Sequence, residues 1–188
     1  MARHSLPPEL RINIVHPLNL VYNPQAVMQI EDSIVVAAPL NVVFAYASDW
    51  QHWAEWFKGV SGFRPTTAIE RGNGARYAYR ASLMGIPASV ETEIADFAEN
   101  GGWTGVSVRG MAHRTSWRFE PHAEGTRFSY GMEYQLPLPL LGPALDALLL
   151  RRHWRRTIKQ SLSNLQAHFA GTGGEPGGPS AATAHPAG

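Results

Sequence analysis

AHRTSWRFEPHAEGTRFSYGMEYQL, residues 112–136, holds two alternating runs separated by one turn. In the first run His113, Thr115, Trp117 and Phe119 alternate with Arg114, Ser116, Arg118 and Glu120. In the second, Phe128, Tyr130, Met132 and Tyr134 alternate with Arg127, Ser129, Gly131 and Glu133. Successive side chains of a strand point to opposite faces, so each run sets a large, mostly aromatic row on one face and a mainly polar row on the other. The connection at 121–125, which begins with proline and ends with glycine, is too short for a parallel crossover. The stretch therefore predicts an antiparallel hairpin of strands 112–120 and 126–136.

The same grammar continues toward the N-terminus. Strand-like runs at 103–109, 87–99, 75–83 and 60–66 are separated by Gly110, Asn100-Gly101-Gly102, Gly85-Ile86-Pro87 and Arg71-Gly72-Asn73-Gly74, which are turn chemistries. Short connections of this kind make a meander. Before it, Met28, Ile30, Ile34 and Val36 mark an opening strand that ends at Pro39. A short segment at 40–47 follows. Trp50, Trp53, Trp56 and Phe57, spaced by three and four, then predict a second short helix closed by Gly59. Toward the C-terminus, Pro143 suits a first helical turn, and Trp154, Ile158, Leu162, Leu165 and Phe169 form a stripe at spacings of four, four, three and four. This helix, stopped by Gly171, is on the order of 40 Å long, enough to cross a curled sheet. The fold class expected is α+β, a curved antiparallel sheet around a long C-terminal helix with two short helices after the first strand.

A chain of 188 residues with 44% hydrophobic content supports one core. The organisation expected is an N-terminal arm at 1–26, a single domain at 27–170 and a disordered Gly/Pro-rich tail at 171–188, whose composition buries too little apolar surface to offset ordering. Sixteen basic and fifteen acidic residues leave a formal charge of +1, which argues against nucleic acid as a partner. The absence of cysteine excludes disulfides and thiolate chemistry. No signal-like segment or run of about 18 apolar residues is present, so the expectation is a cytoplasmic protein with no transmembrane segment.

Four local patterns, in this order and spacing, resemble the START/Bet v 1-like (SRPBCC) superfamily of helix-grip proteins. They are Ser33 to Pro39 followed by Val42-Val43-Phe44; Asp49-Trp50 with Trp53 and Trp56; Thr115 to Pro121 with Gly125-Thr126; and Leu162-Ser163-Asn164-Leu165. Within it the branch most similar is that of polyketide cyclases/dehydrases and coenzyme Q-binding (Coq10-like) proteins. The resemblance implies a cavity between sheet and helix for a lipid, isoprenoid, quinone or polyketide-like molecule, bound or transported without a cofactor. Binding or transport is the leading implication, and a polyketide cyclase/aromatase acting without a cofactor is the alternative. Contacts to a second copy or to an acyl-carrier protein are further expectations.

Alternation puts Tyr77, Tyr79, Trp103, Thr115, Trp117, Phe128, Tyr130 and Met132 on the pocket face as candidate ligand-binding residues, against the plain alternative of core packing. His113 is the candidate catalytic residue, because an imidazole titrates near neutral pH and can exchange a proton with a ligand carbonyl; a hydrogen-bonded core histidine is the plainer alternative. Leu148 and Arg152, with Leu145 and Leu149, are placed at the cavity mouth. Arg151, Arg152, Arg155, Arg156 and Lys159 form a basic cluster that suits either a solvated face or an anionic partner, and the apolar stretch 136–150 suits a lid, a dimer contact or a membrane-docking edge. The histidines show no metal-ligand spacing, and no glycine loop has phosphate-binding form, so no metal is expected.

Overall fold

A computed structural model describes residues 27–83, 85–135 and 143–172. The arm at 1–26, residues 136–142 of the apolar stretch and nearly all of the tail lie outside the described residues. The element order is β1 (Val27–Val36), α1 (Leu40–Ser48), α2 (Trp53–Trp56), β2 (Val60–Pro65), β3 (Arg76–Leu83), β4 (Ile86–Ala98), β5 (Gly102–Arg109), β6 (His113–His122), β7 (Gly125–Gln135) and α3 (Pro143–Thr172). All strands pair antiparallel in one sheet of order β1-β7-β6-β5-β4-β3-β2. From β2 to β7 the chain is a meander; β1 closes the far edge against β7, and α1 and α2 carry the chain from one edge to the other. This is the helix-grip architecture that the alternation and the long stripe predict.

The hairpin of β6 and β7 has the expected register, with Thr115 opposite Met132, Trp117 opposite Tyr130 and Phe119 opposite Phe128. Its turn tightens until Gly125 lies against the Val36 carbonyl, at φ +133, where a Cβ would collide with backbone. Next to it, the Thr126 hydroxyl donates to the Ala38 carbonyl (2.8 Å), tying the hairpin to the start of α1.

α3 lies on the concave side because Trp154, Ile158, Leu162 and Leu165 form one buried stripe. Polar latches fix its register. Buried Ser161 accepts from the Lys58 amide (2.9 Å), Asn164 donates to the Trp56 carbonyl (3.1 Å), and Gln166 donates to the Val35 carbonyl (2.8 Å). The helix runs to Thr172, so Gly171 falls inside its last turn instead of ending it; a glycine costs little in a final turn, where few backbone bonds remain to be made. Among the described residues no helix is long and apolar enough to cross a membrane.

Candidate functional site

The row of rings on the concave face does not fill it evenly. Toward the β6–β7 turn, Phe128 is fully buried and stacks on Phe119 (4.5 Å between centroids), which meets the edge of Phe44 at 5.2 Å. Trp117 sits at the centre, stacked on Trp103 at 4.6 Å and edge-on to Tyr130 at 5.2 Å. Beyond Trp117 the packing opens into a partly open cavity of about 70 Å³. Its walls come from every side of the grip: Trp53 and Phe57 from α2 and its C-terminal end; Phe63 and Ala81 from β2 and β3; Val90 and Ile94 from β4; Met132 from β7; and Trp154 from α3. A second hollow of about 10 Å³ shares Trp53, Tyr77, Ile94 and Trp103 with it. Arg71 closes that hollow, its guanidinium lying over Phe97 (5.1 Å) and paired with Glu99 (2.9 Å).

The main polar group of the cavity lies in one corner, while on the α3 wall the Trp154 Nε1–H is buried without a partner among the described residues. His113 Nε2, the Tyr79 hydroxyl and the Thr92 hydroxyl form a triangle with sides of 3.1, 3.2 and 3.2 Å. His113 Nδ1 lies 2.9 Å from the Met111 carbonyl, which can only accept, so Nδ1 carries the proton and Nε2 offers its lone pair to the hydroxyls. Burial holds the His113 pKa below its ordinary value, the Met111 bond opposing this in part, so the ring is neutral at pH 7. Burial likewise pushes Tyr79 up to about 12, partly offset by its Thr92 bond, and raises Tyr130 further. Two hydroxyl protons serve three edges of the triangle. Either the unmatched edge leaves an acceptor lone pair for a ligand donor, or one hydroxyl turns its proton outward to a ligand carbonyl. Gly105 makes room here: a Cβ would stand 2.5 Å from the Thr115 hydroxyl and 3.0 Å from the Thr92 methyl. No Arg, Lys, Asp or Glu is among the described lining residues, and the described residues contain no cluster of His, Asp or Glu arranged to hold a metal ion.

Of the candidate positions that the sequence singles out, Tyr77, Tyr79, Trp103, His113, Thr115, Trp117, Tyr130 and Met132 line this cavity together. Phe128, Leu148 and Arg152 do not. Phe128 is on the right face but too far along it, at the packed end, because alternation fixes the face of a residue and not its depth. Leu148 is 65% exposed and Arg152 is exposed beside it. Arg152 is two positions from inward-facing Trp154, about 200° around the helix, so it turns to solvent. Sequence reasoning misses Thr92, although the run Val90-Glu91-Thr92-Glu93-Ile94 alternates as clearly as the hairpin and the pairing of Tyr77 with Thr92 puts it on the tyrosine face. Trp154, which the stripe presents as core packing, also forms a wall.

Residues 28–170 match the family model described as polyketide cyclase/dehydrase and lipid transport. Three solved structures share the fold. TTHA0849 from Thermus thermophilus is 20% identical, with a TM-score of 0.67 over 77% of this chain and 99% of that one. A START superfamily protein from Mycobacterium smegmatis is 15% identical, with a TM-score of 0.63 over 78% and 99%. The di-domain ARO/CYC StfQ of the steffimycin biosynthetic pathway is 18% identical, with a TM-score of 0.64 over 79% of this chain and 53% of that one. At these identities the likeness establishes the fold alone. No curated protein matches the chain.

Proposed function

Because the chain belongs to the polyketide cyclase/dehydrase and lipid transport family, we propose that it binds and carries a small, neutral, largely apolar molecule in the cavity beneath α3. The observation that carries this reading is an aromatic chamber whose described walls hold no permanent charge and whose polar atoms gather at the Tyr79–Thr92–His113 triangle, with the buried, unpartnered Trp154 Nε1 as a further donor on the α3 wall. A carboxylate or ammonium buried there would have no countercharge, which is strongly unfavourable, whereas a hydroxyl or carbonyl finds a partner. Flat ligands are favoured, because stacked Trp103 and Trp117 offer parallel faces. With about 70 Å³ free, a larger ligand enters only if side chains such as Met111 and Phe57 swing aside.

Native mass spectrometry of the purified full chain should show a non-covalent neutral passenger. Calorimetric titration supplies a defined probe: 2-naphthol binds, naphthalene binds up to about tenfold more weakly for lack of one net hydrogen bond, and 2-naphthoate binds worst. A chain that carries no passenger and takes none of the three, or prefers 2-naphthoate, contradicts the proposal.

The second reading is a cyclase in which the same triangle moves protons on a reactive ketide. It is favoured by one feature, an imidazole lone pair and a phenol in contact at the end of a shaped chamber. His113→Ala separates the two. In a carrier it weakens binding by about tenfold or less, and in a cyclase it lowers turnover by about a hundredfold or more.

A further inference from the structure

The outward face of α3 is not explained by the cavity. Leu148, Arg152, Arg155 and Lys159 follow one another at spacings of four, three and four, so they form a second stripe along the helix, about a third of a turn from the buried one. Arg151 and Arg156 flank it, and all five cations are exposed. At its N-terminal end Leu148 is 65% and Leu149 39% exposed, among the few large apolar side chains that the described surface shows to solvent. From 147 to 172 the sequence contains no Asp or Glu, and none of the ion pairs among the described residues involves these five cations. Arg151 and Arg155, Arg152 and Arg156, and Arg155 and Lys159 are like charges one turn apart, an arrangement that works against the helix itself. The chain as a whole is nearly neutral, so this is a local concentration of charge.

We propose that this face docks α3 onto an anionic lipid surface. The cations complement the headgroups, their long stems reach along the interface, and Leu148 and Leu149 enter the acyl boundary. An acidic protein would satisfy the charges but would leave the two leucines unexplained; a second copy of the chain would bring the same positive charges face to face. Docking places the cavity wall at Trp154 within one helix diameter of the bilayer, where an apolar passenger would be exchanged.

The test is flotation of the full chain with vesicles of phosphatidylcholine alone and with roughly one-third phosphatidylglycerol, at about 50 and about 500 mM salt, between which the screening length falls about threefold. The expected result is partition to the anionic vesicles only, lost at high salt. It should fall roughly tenfold or more in Arg152→Glu/Arg155→Glu/Lys159→Glu and to a smaller extent in Leu148→Ser/Leu149→Ser, with unchanged melting. The triple glutamine variant replaces the reversal if the latter fails to fold. Equal binding to both vesicle types, salt-insensitive binding or no binding overturns the proposal. So does a leucine variant that abolishes self-association in sedimentation while the wild type ignores vesicles, which would make the face a dimer contact. The passenger assays read a different property, so their failure leaves this result standing.

Discussion

The two ends of the grip are built from the same materials to opposite effect. At the end near the β6–β7 turn, Phe44, Phe119, Phe128 and Trp56 interlock, and Val36, Val43 and Ala47 have no accessible surface. At the other end, past Trp117, equally apolar residues from β2, β3, β4 and α3 leave a hollow with the Tyr79–Thr92–His113 triangle in one corner. Aromatic content does not distinguish these ends. What differs is whether the helices reach down to the sheet: α1 covers the first end, while beside the second, among the described residues, Trp53, Phe57 and Trp154 reach in. A packed core and a ligand chamber are thus alternative uses of one curved surface, and each end should respond to mutation in its own way.

The largest contrast comes from deletion at the packed end. Phe128→Ala should cost about 3–5 kcal/mol by chemical denaturation, while the folded fraction keeps its affinity for 2-naphthol. Enlarging side chains inverts the comparison. Ala47→Leu, with no space around it, should cost about 1–3 kcal/mol. Ala81→Leu projects into the cavity, and should leave stability within about 1 kcal/mol of the wild type.

Titration gives a smaller effect confined to the cavity end. The His113 pKa is lowered in the folded state from 6.5, while the unfolded chain titrates at about 6.5. Below that pH the unfolded chain takes up the proton first. Stability should therefore fall as pH drops from about 6.5 toward the folded value, by at most about 1.4 kcal/mol per pH unit, and this component should be flat above it. His113→Gln should remove that slope in denaturation curves collected across the range. The smallest change is Tyr79→Phe, which removes one hydroxyl from the triangle and should cost about 0.5–1.5 kcal/mol. A Tyr79→Phe loss matching that of Phe128→Ala would erase the distinction between the ends.

How far the sequence foretells this molecule follows from what periodicity encodes. Alternation in β6 and β7 and the Trp154-to-Leu165 stripe specify which faces meet, and that suffices for the sheet order, the grip and most of the cavity wall. It does not encode depth along a face, which is why it assigns Phe128 to the pocket beside Tyr130, only two positions away. Nearness in sequence to an apolar run puts Leu148 and Arg152 at the mouth, although Arg152 and Trp154 are nearly opposite on the helix. The triangle needs three strands at once. His113 and Tyr79 are visible separately, and Thr92 joins them only through the registers of β3 with β4, of β4 with β5 and of β5 with β6.

The most direct test of the central claim, that the hollow end is the ligand chamber, is one calorimetric titration of 2-naphthol into the wild type and Ala81→Leu, both shown to be folded. The wild type should bind, and the filled variant should lose binding without losing stability. Equal affinity in the two proteins would contradict the claim and place the ligand elsewhere.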